Sequence, residues 1–402
     1  MGTDRSAKSA PEGVQRIEPA VLDEIRPAVA DVIAELSGAA VSLSRALHPR
    51  TAASLAELVR IMNAYYSNLI EGHNTGPHEI ALALAGELNE DEERRNLQIE
   101  AAAHVRVQAE VDRMAAAGTL PEPASREFVR WLHREFYRDA PEATLRVRGR
   151  DLDYVMQPGE WRSRNSEDVV VGRHQPPSSA RVESFMEYFE SRYTFEGKGM
   201  ATRIMMIAAS HHRFNYIHPF ADGNGRVSRL MSHAMAHAAG IGAHGLWSVS
   251  RGLARGLERR SEYKAMMDYA DTPRESDLDG RGNLSQRALE DFVLWFLRVC
   301  LDQVTFMTGL FELDTLVNRL GKLARDDQRF RPDSARLLEE AVLRGELERG
   351  DAPRIIGAPE RTARRALNDL ITAGLLASDT PKGPVSLRFP PDESELIFPR
   401  LF

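Results

Sequence analysis

The chain has 402 residues, 43% of them hydrophobic and 28% charged, an ordinary globular composition with room for two or three domains. A formal net charge of −7 excludes a protein that coats nucleic acid non-specifically, while leaving room for a local basic patch. Cys300 is the only cysteine, so neither an internal disulfide nor a cysteine-based metal cage can form, as suits a reducing cytoplasm.

The start, "MGTDRSAKSAPEG", is polar and lacks the apolar segment of a secretory signal. Gly2 and Ser6 satisfy the short N-myristoylation pattern, but six residues recur by chance and the stretch reads as a polar tail. No run of eighteen apolar residues occurs, so no membrane span is expected. Residues 17–47 then alternate charged and apolar positions at helical spacing. Ala52–Glu71 predicts a second helix, stopped by Gly72, and further helices follow at 91–117 and 125–137.

From Arg146 to Pro177 the helical period disappears. "YVMQPGEWRS" and "DVVVGRH" hold β-formers separated by turn residues, which predicts a hairpin over 154–172, closed by Pro176 and Pro177. Helices resume at 181–193 and 197–213. "GNLSQRALEDFVLWFLRVC" and "TFMTGLFELDTLVNRLGKLA" predict two more before a boundary at 325–332.

The last seventy or so residues predict helices at 333–345, 350–356 and 359–374, then two strands around a Pro-Lys-Gly-Pro turn. That order is the order of a winged helix-turn-helix. Ala363, Ala366, Leu367, Leu370 and Ile371 would face inward, with Arg361, Arg364, Arg365 and Asn368 outward as on a recognition helix. Residues 331–390 carry ten Lys and Arg against nine Asp and Glu, a net of +1. DNA binding wants a basic domain, so DNA and a docking or homodimerisation role both stay open. The division expected is a tail and helical region at 1–50, a core at 51–325 and a winged-helix-like domain at 326–402.

Residues 218–229, "HPFADGNGRVSR", carry the chemistry. Val227, Leu230, Met231, Ala234 and Ala238 share one helical face, so a helix begins near Gly223 and stops at Gly240. Gly223, Asn224 and Gly225 therefore stand at a helix N-terminus, where free backbone N–H groups favour an anion and glycine lets phosphate oxygens come close. Arg226 and Arg229 can each fork onto phosphate. Asp222 is a hard oxygen ligand suited to a Mg²⁺ ion bridging phosphates. His218, in the preceding loop, has a pKa near working pH and suits a general base. His211, His212 and His218 do not read as a zinc site: adjacent histidines on a helix diverge by about 100°, and no third ligand stands at metal-site spacing.

The stretch resembles the Fic family signature, His-x-Phe-x-Asp-Gly-Asn-Gly-Arg-x-x-Arg, without departure, and the resemblance extends over about 55–300. It implies a mainly α Fic-type helical bundle with a β-hairpin flap, and transfer of AMP from ATP to a Tyr, Thr or Ser hydroxyl of a target protein or of the chain itself. His218 would be the base, Asp222 the Mg²⁺ ligand, Gly223–Asn224–Gly225 the α/β-phosphate cradle, Arg226 the contact to the outer phosphates and Arg229 that to the γ-phosphate. The 154–172 hairpin resembles the flap that docks targets by strand addition, and Tyr263 resembles a position near the adenine. "SNLIEG" at 67–72 is similar to the family's inhibitory motif, in which Ser67, Glu71 and Gly72 would set Glu71 on Arg229 and deny it to ATP. Two alternatives stay open: a nucleotide-sensing DNA-binding regulator, and a hydrolase that removes AMP with Glu71 positioning water.

Overall fold

The structure, a computed structural model, describes residues 13–149 and 152–402. The polar tail and its Gly2–Ser6 pattern lie outside the described residues. After a 3₁₀ turn at Val14–Ile17 come α1 (Pro27–Arg45), α2 (Pro49–Ile70), α3 (Pro77–Leu84), α4 (Glu92–Ala116), α5 (Arg126–Phe136) and the single turn α6 (Glu142–Leu145). Strands β1 (Arg146–Gly149) and β2 (Leu152–Val155) pair antiparallel, with Arg146 opposite Val155 and Val147 opposite Tyr154. Then follow α7 (Val182–Tyr193), α8 (Met200–Ile217), α9 (Asn224–Ala238), α10 (Val249–Arg255), α11 (Glu262–Ala270), α12 (Gln286–Leu310) and α13 (Leu313–Asp326). The chain closes with α14 (Ser334–Arg344), α15 (Ala352–Ile356), α16 (Glu360–Thr372), the short antiparallel pair β3 (Leu376–Ala377) and β4 (Ser386–Leu387), and α17 (Pro391–Ile397).

Helix α8 is the axis of the bundle. From Ile204 to Phe214 every residue is buried, because "IMMIAASHHRF" offers apolar or bond-satisfied groups on all sides. It packs against α9, α7 and α12. Helices α1 and α12 are the long, apolar ones, and they face each other: Val29, Val32, Leu36 and Leu43 are buried on one, Phe292, Phe296, Val299 and Cys300 on the other. The buried faces of the two helices pack on each other within the bundle.

Two expectations need correction. The hairpin lies at 146–155, not 154–172. The stretch after β2 is pinned to the core instead: Glu160 N–H donates to Gln157 O (3.1 Å) in a turn at Pro158–Gly159, and Arg162 N–H donates to Pro219 O (3.0 Å). Only an isolated bridge, Val171 to His174, survives further on. The other correction is the helix break, which falls at Phe311–Glu312 rather than after Cys300. Cys300, Val304, Met307 and Leu310 continue the buried face that Phe292 and Phe296 began, so burial carries α12 through "TFMTG".

The C-terminal elements are joined to the bundle. Phe398 packs edge-on to Phe311 and Phe389, and Arg251 donates to the carbonyls of Arg400 (2.8 Å) and Leu401 (3.2 Å). At the start of α2, Thr51 Oγ1 donates to Val342 O (3.0 Å) and Arg50 pairs with Asp379.

Candidate active site

The loop between α8 and α9 is held from three sides. His218 ends α8 in the left-handed region (φ 51°, ψ 60°), which turns the chain sharply out of the helix. The guanidinium of Arg162, fully buried, donates to His218 O (2.7 Å), Ile217 O (3.0 Å), Pro177 O (2.6 Å) and Ser179 Oγ (2.9 Å). Phe220 is buried and stacks on His133 with centroids 3.9 Å apart. Asn224 brackets the loop, accepting from Phe220 N–H and donating to Phe220 O, both at 2.9 Å. His133 accepts from Gly159 N–H at Nδ1 (2.8 Å), so its Nε2–H faces Asp222 O at 3.2 Å.

Gly223 (φ +81°) starts α9, and no side chain caps that end. The first-turn N–H groups have no intrahelical acceptor by α-helical geometry, and they open toward the loop with the positive end of the helix dipole. A side chain at Gly223 is excluded by its positive φ and the Tyr137 ring, whereas one at Gly225 would have to displace the end of the Glu71 side chain. A Cβ at Gly223 would stand 2.8 Å from the Tyr137 ring, and one at Gly225 2.6 Å from Glu71 Oε1.

Burial, reinforced by the positive charge of Arg162, pushes His218 down to about 4, so its imidazole is neutral and able to take a proton at neutral pH. Asp222 keeps its side chain half exposed while Oδ2 accepts from Tyr137 Oη (2.8 Å) and Arg226 Nη2 (2.7 Å). Its loss of solvent favours the neutral acid, but Arg226 outweighs that and holds the carboxyl below its ordinary range.

The two arginines of α9 are already engaged. Arg226 is buried, with Nη1 at 2.5 Å from Glu100 Oε2 of α4 and Nη2 on Asp222; its Nε has no hydrogen-bond partner among the described residues. Arg229 is 1% exposed: Nε donates to Ser67 Oγ (2.9 Å), and Nη2 donates to Glu71 Oε1 (2.6 Å) and Ser67 O (3.3 Å). Glu71 follows the last residue of α2, and Gly72 (φ +90°) lets the chain leave the helix there. Burial would raise the Glu71 carboxyl, yet Arg229 and then Arg226 hold it below the usual range.

Tyr263 lies beyond Arg229, buried, its hydroxyl 2.8 Å from His211 Nε2. Ser232 Oγ donates to Ser228 O (2.8 Å) and so accepts from His211 Nδ1–H (2.9 Å), which leaves His211 Nε2 to accept from Tyr263. His212 turns away to Asp271 Oδ1 (3.1 Å). The structure thus gathers His218, Asp222, Gly223, Asn224, Gly225, Arg226 and Arg229 with Ser67 and Glu71, and sets Tyr263 against His211 at the far side of Arg229.

Sequence reasoning missed Arg162, His133, Tyr137 and Glu100. Arg162 carries no local signal, being one arginine in a polar loop. Glu100 does: Glu100, His104, Gln108 and Asp112 recur every four residues on α4, a polar stripe beside buried Ala103, Val107 and Val111.

Residues 123–236 match the model of the Fic/DOC family, a segment that includes 218–229 and excludes Ser67–Gly72. The chain is similar to proteins called protein adenylyltransferase Fic: 34% identical over 98 residues to that of Aedes aegypti and 36% over 98 to that of Drosophila melanogaster, 24% of this chain and 19% of each relative. The chain therefore spans about a fifth of the length of these curated relatives. Its fold is like that of a Fic family protein from Desulfovibrio desulfuricans G20 (TM-score 0.53, 19% identity, 90% of this chain, 97% of the other). It is also like a Fic domain containing signaling protein from Bacteroides thetaiotaomicron VPI-5482 (TM-score 0.51, 22% identity, 69% and 96%).

Proposed function

Because residues 123–236 match the Fic/DOC family, we propose that the chain is a protein adenylyltransferase restrained by its own Glu71. The observation that carries this reading is one helix end, α9, with a neutral histidine before it and an arginine after it that a distant glutamate already occupies. The proposed step is in-line transfer. The target hydroxyl gives its proton to His218, its oxygen bonds to the α-phosphorus of ATP, and the bond to the β-phosphate oxygen breaks to release pyrophosphate.

The uncapped first turn of α9 receives the α- and β-phosphates, and Arg226 meets the outer phosphates. Arg229 takes the γ-phosphate once it leaves Glu71. Asp222 fits a Mg²⁺ ion: it is a half-exposed carboxylate with one oxygen oriented by Tyr137 and Arg226, and such an ion offsets phosphate charge. Target docking is supported by a cavity of about 390 Å³ beside the loop, lined by Tyr154, Met156, Trp161, Arg162, Glu167 and Ala221. That moves the docking edge from 154–172 to β2 and the chain just after it.

We read α14–α16 with β3–β4 as a winged helix whose exposed Arg361, Arg364 and Arg365 form a docking face for DNA or protein. The central test is mass spectrometry of the chain incubated with ATP and Mg²⁺. A covalent AMP adduct on the Glu71→Gly variant, absent from Glu71→Gly, His218→Ala, is the expected result. ATP binding with no adduct on the chain or on any co-incubated protein would leave a nucleotide sensor instead.

A further inference from the structure

The polar stripe of α4 ends at Asp112, and there it meets the far half of α9. His233 and His237 are four residues apart on that helix, so their rings project one above the other from a single face. Asp112 Oδ1 stands 2.7 Å from His233 Nε2 and 3.0 Å from His237 Nε2, and the three ligand atoms all lie within 4.8 Å of one another. All three side chains are at least nine-tenths buried, at 8%, 6% and 10% exposure. The second carboxylate oxygen, Oδ2, is taken by Arg60 Nε at 2.8 Å, which fixes the rotation of the carboxylate and turns Oδ1 toward the rings.

The loop 242–245 packs tightly against this cluster, and its glycines keep the approach close. A Cβ at Gly242 would lie 2.5 Å from His237 Nδ1, and one at Gly245 3.0 Å from Asp112 Oδ2. On the other side Asp112 and His237 line a cavity of about 730 Å³, with Arg60 and Arg113 on its wall. The set is two imidazoles and one oriented carboxylate oxygen from two packed helices, with an open side.

We propose that Asp112, His233 and His237 bind a divalent d-block cation of the Zn²⁺ class, with water or an anion from the 730 Å³ cavity as fourth ligand. Tetrahedral Zn²⁺ with bonds of about 2.0–2.1 Å needs neighbouring ligand atoms about 3.3 Å apart, so the 2.7 and 3.0 Å separations from Asp112 open by a few tenths of an ångström and the two imidazole nitrogens, within 4.8 Å of each other, settle to the same spacing. Nitrogen donors select this class over Mg²⁺, which prefers an all-oxygen shell. Arg60 is the orienting partner that ligating carboxylates commonly have. The site is separate from Asp222, which lies before the opposite end of α9 and offers oxygen only.

The untagged full chain, stripped with chelator, is titrated with Co²⁺ as an optical probe. One equivalent per chain, with visible d–d bands that Zn²⁺ abolishes by displacement, is expected. His233→Ala and His237→Ala should each weaken uptake by at least about tenfold, since even removal of an outer-shell partner costs 10–100-fold. Asp222→Asn should leave uptake unchanged. Should either histidine variant lose its far-UV helical signal, Asp112→Asn, which keeps the side-chain shape, replaces it with the same expectation. No saturable uptake by the wild-type chain, or one equivalent that none of these substitutions weakens, overturns the proposal and leaves Asp112 as the acceptor of two imidazole N–H bonds.

Discussion

Arg226 and Arg229 stand three residues apart on one helix, both buried and both paired with a distant glutamate, Glu100 within α4 and Glu71 just past the end of α2, yet the two pairs differ in kind. Glu100, the partner of Arg226, has its carboxyl raised, because burial with the added charge of Asp222 outweighs the arginine. Glu71, the partner of Arg229, has its carboxyl lowered, because two arginines reach it. Arg226 is also shared with Asp222, whereas the carboxylate of Glu71 is the only one that Arg229 meets among the described residues. One pair is therefore a structural strut within the site, and the other is a single latch between α2 and α9. A substitution at the latch should change activity more than stability, and one at the strut the reverse.

The largest expected effect lies in neither pair but in the group both serve. His218→Ala should lower AMP labelling by about 10²–10⁴-fold, the usual cost of removing a general base, while calorimetric ATP affinity stays within a few-fold. Unchanged labelling would remove His218 from the reaction and with it the meaning of the comparison.

Next comes the latch. Glu71→Gly should raise labelling of the chain and of targets by about a hundredfold, equivalent to about 2.7 kcal/mol of relieved inhibition. The gain should vanish in the His218→Ala background, and Arg229→Ala should not reproduce it if that arginine also holds the γ-phosphate as proposed. Labelling no faster than the parent chain would make "SNLIEG" a helix end and nothing more.

The strut is tested by Glu100→Gln, which keeps an acceptor for Arg226 but loses the charge. Labelling should move by less than about tenfold, while urea unfolding should show a loss of about 1–3 kcal/mol, the range for a weakened buried bond to a charged group. A rise like that of Glu71→Gly would erase the distinction between strut and latch.

The smallest effect is one of pH. With His218 held at about 4, its basic form is complete well below the ordinary histidine range. On the Glu71→Gly variant, kcat/KM should stay level from about pH 5.5 to 8 and fall only as His218 gains its proton near 4. A fall centred near 6.5 would mean that the base is solvated rather than buried.

The sequence by itself determined the local chemistry of this protein. "HPFADGNGRVSR" shows its glycines, its helix start and its order of polar groups without any tertiary information, because each depends on neighbours within four residues. The same locality made α2, α4, α5, α7 and α9 legible to within a few residues, and it set Gly72 and Gly240 at helix ends, where both have positive φ. The four-residue spacing of His233 and His237 is local in the same way.

What only the tertiary structure decided are the meetings between distant segments. Glu71 and Arg229 are 158 residues apart, Glu100 and Arg226 are 126, and Arg162 reaches the loop carbonyl of His218 across 56. The hairpin shows the limit most plainly. β-Propensity spread over 154–172 could not choose a register, and the chain chose 146–155 because Trp161 and Arg162 are claimed by the core beside Phe220 and Pro219. Propensity is a property of the residue, whereas pairing and burial depend on which remote surface arrives to receive it.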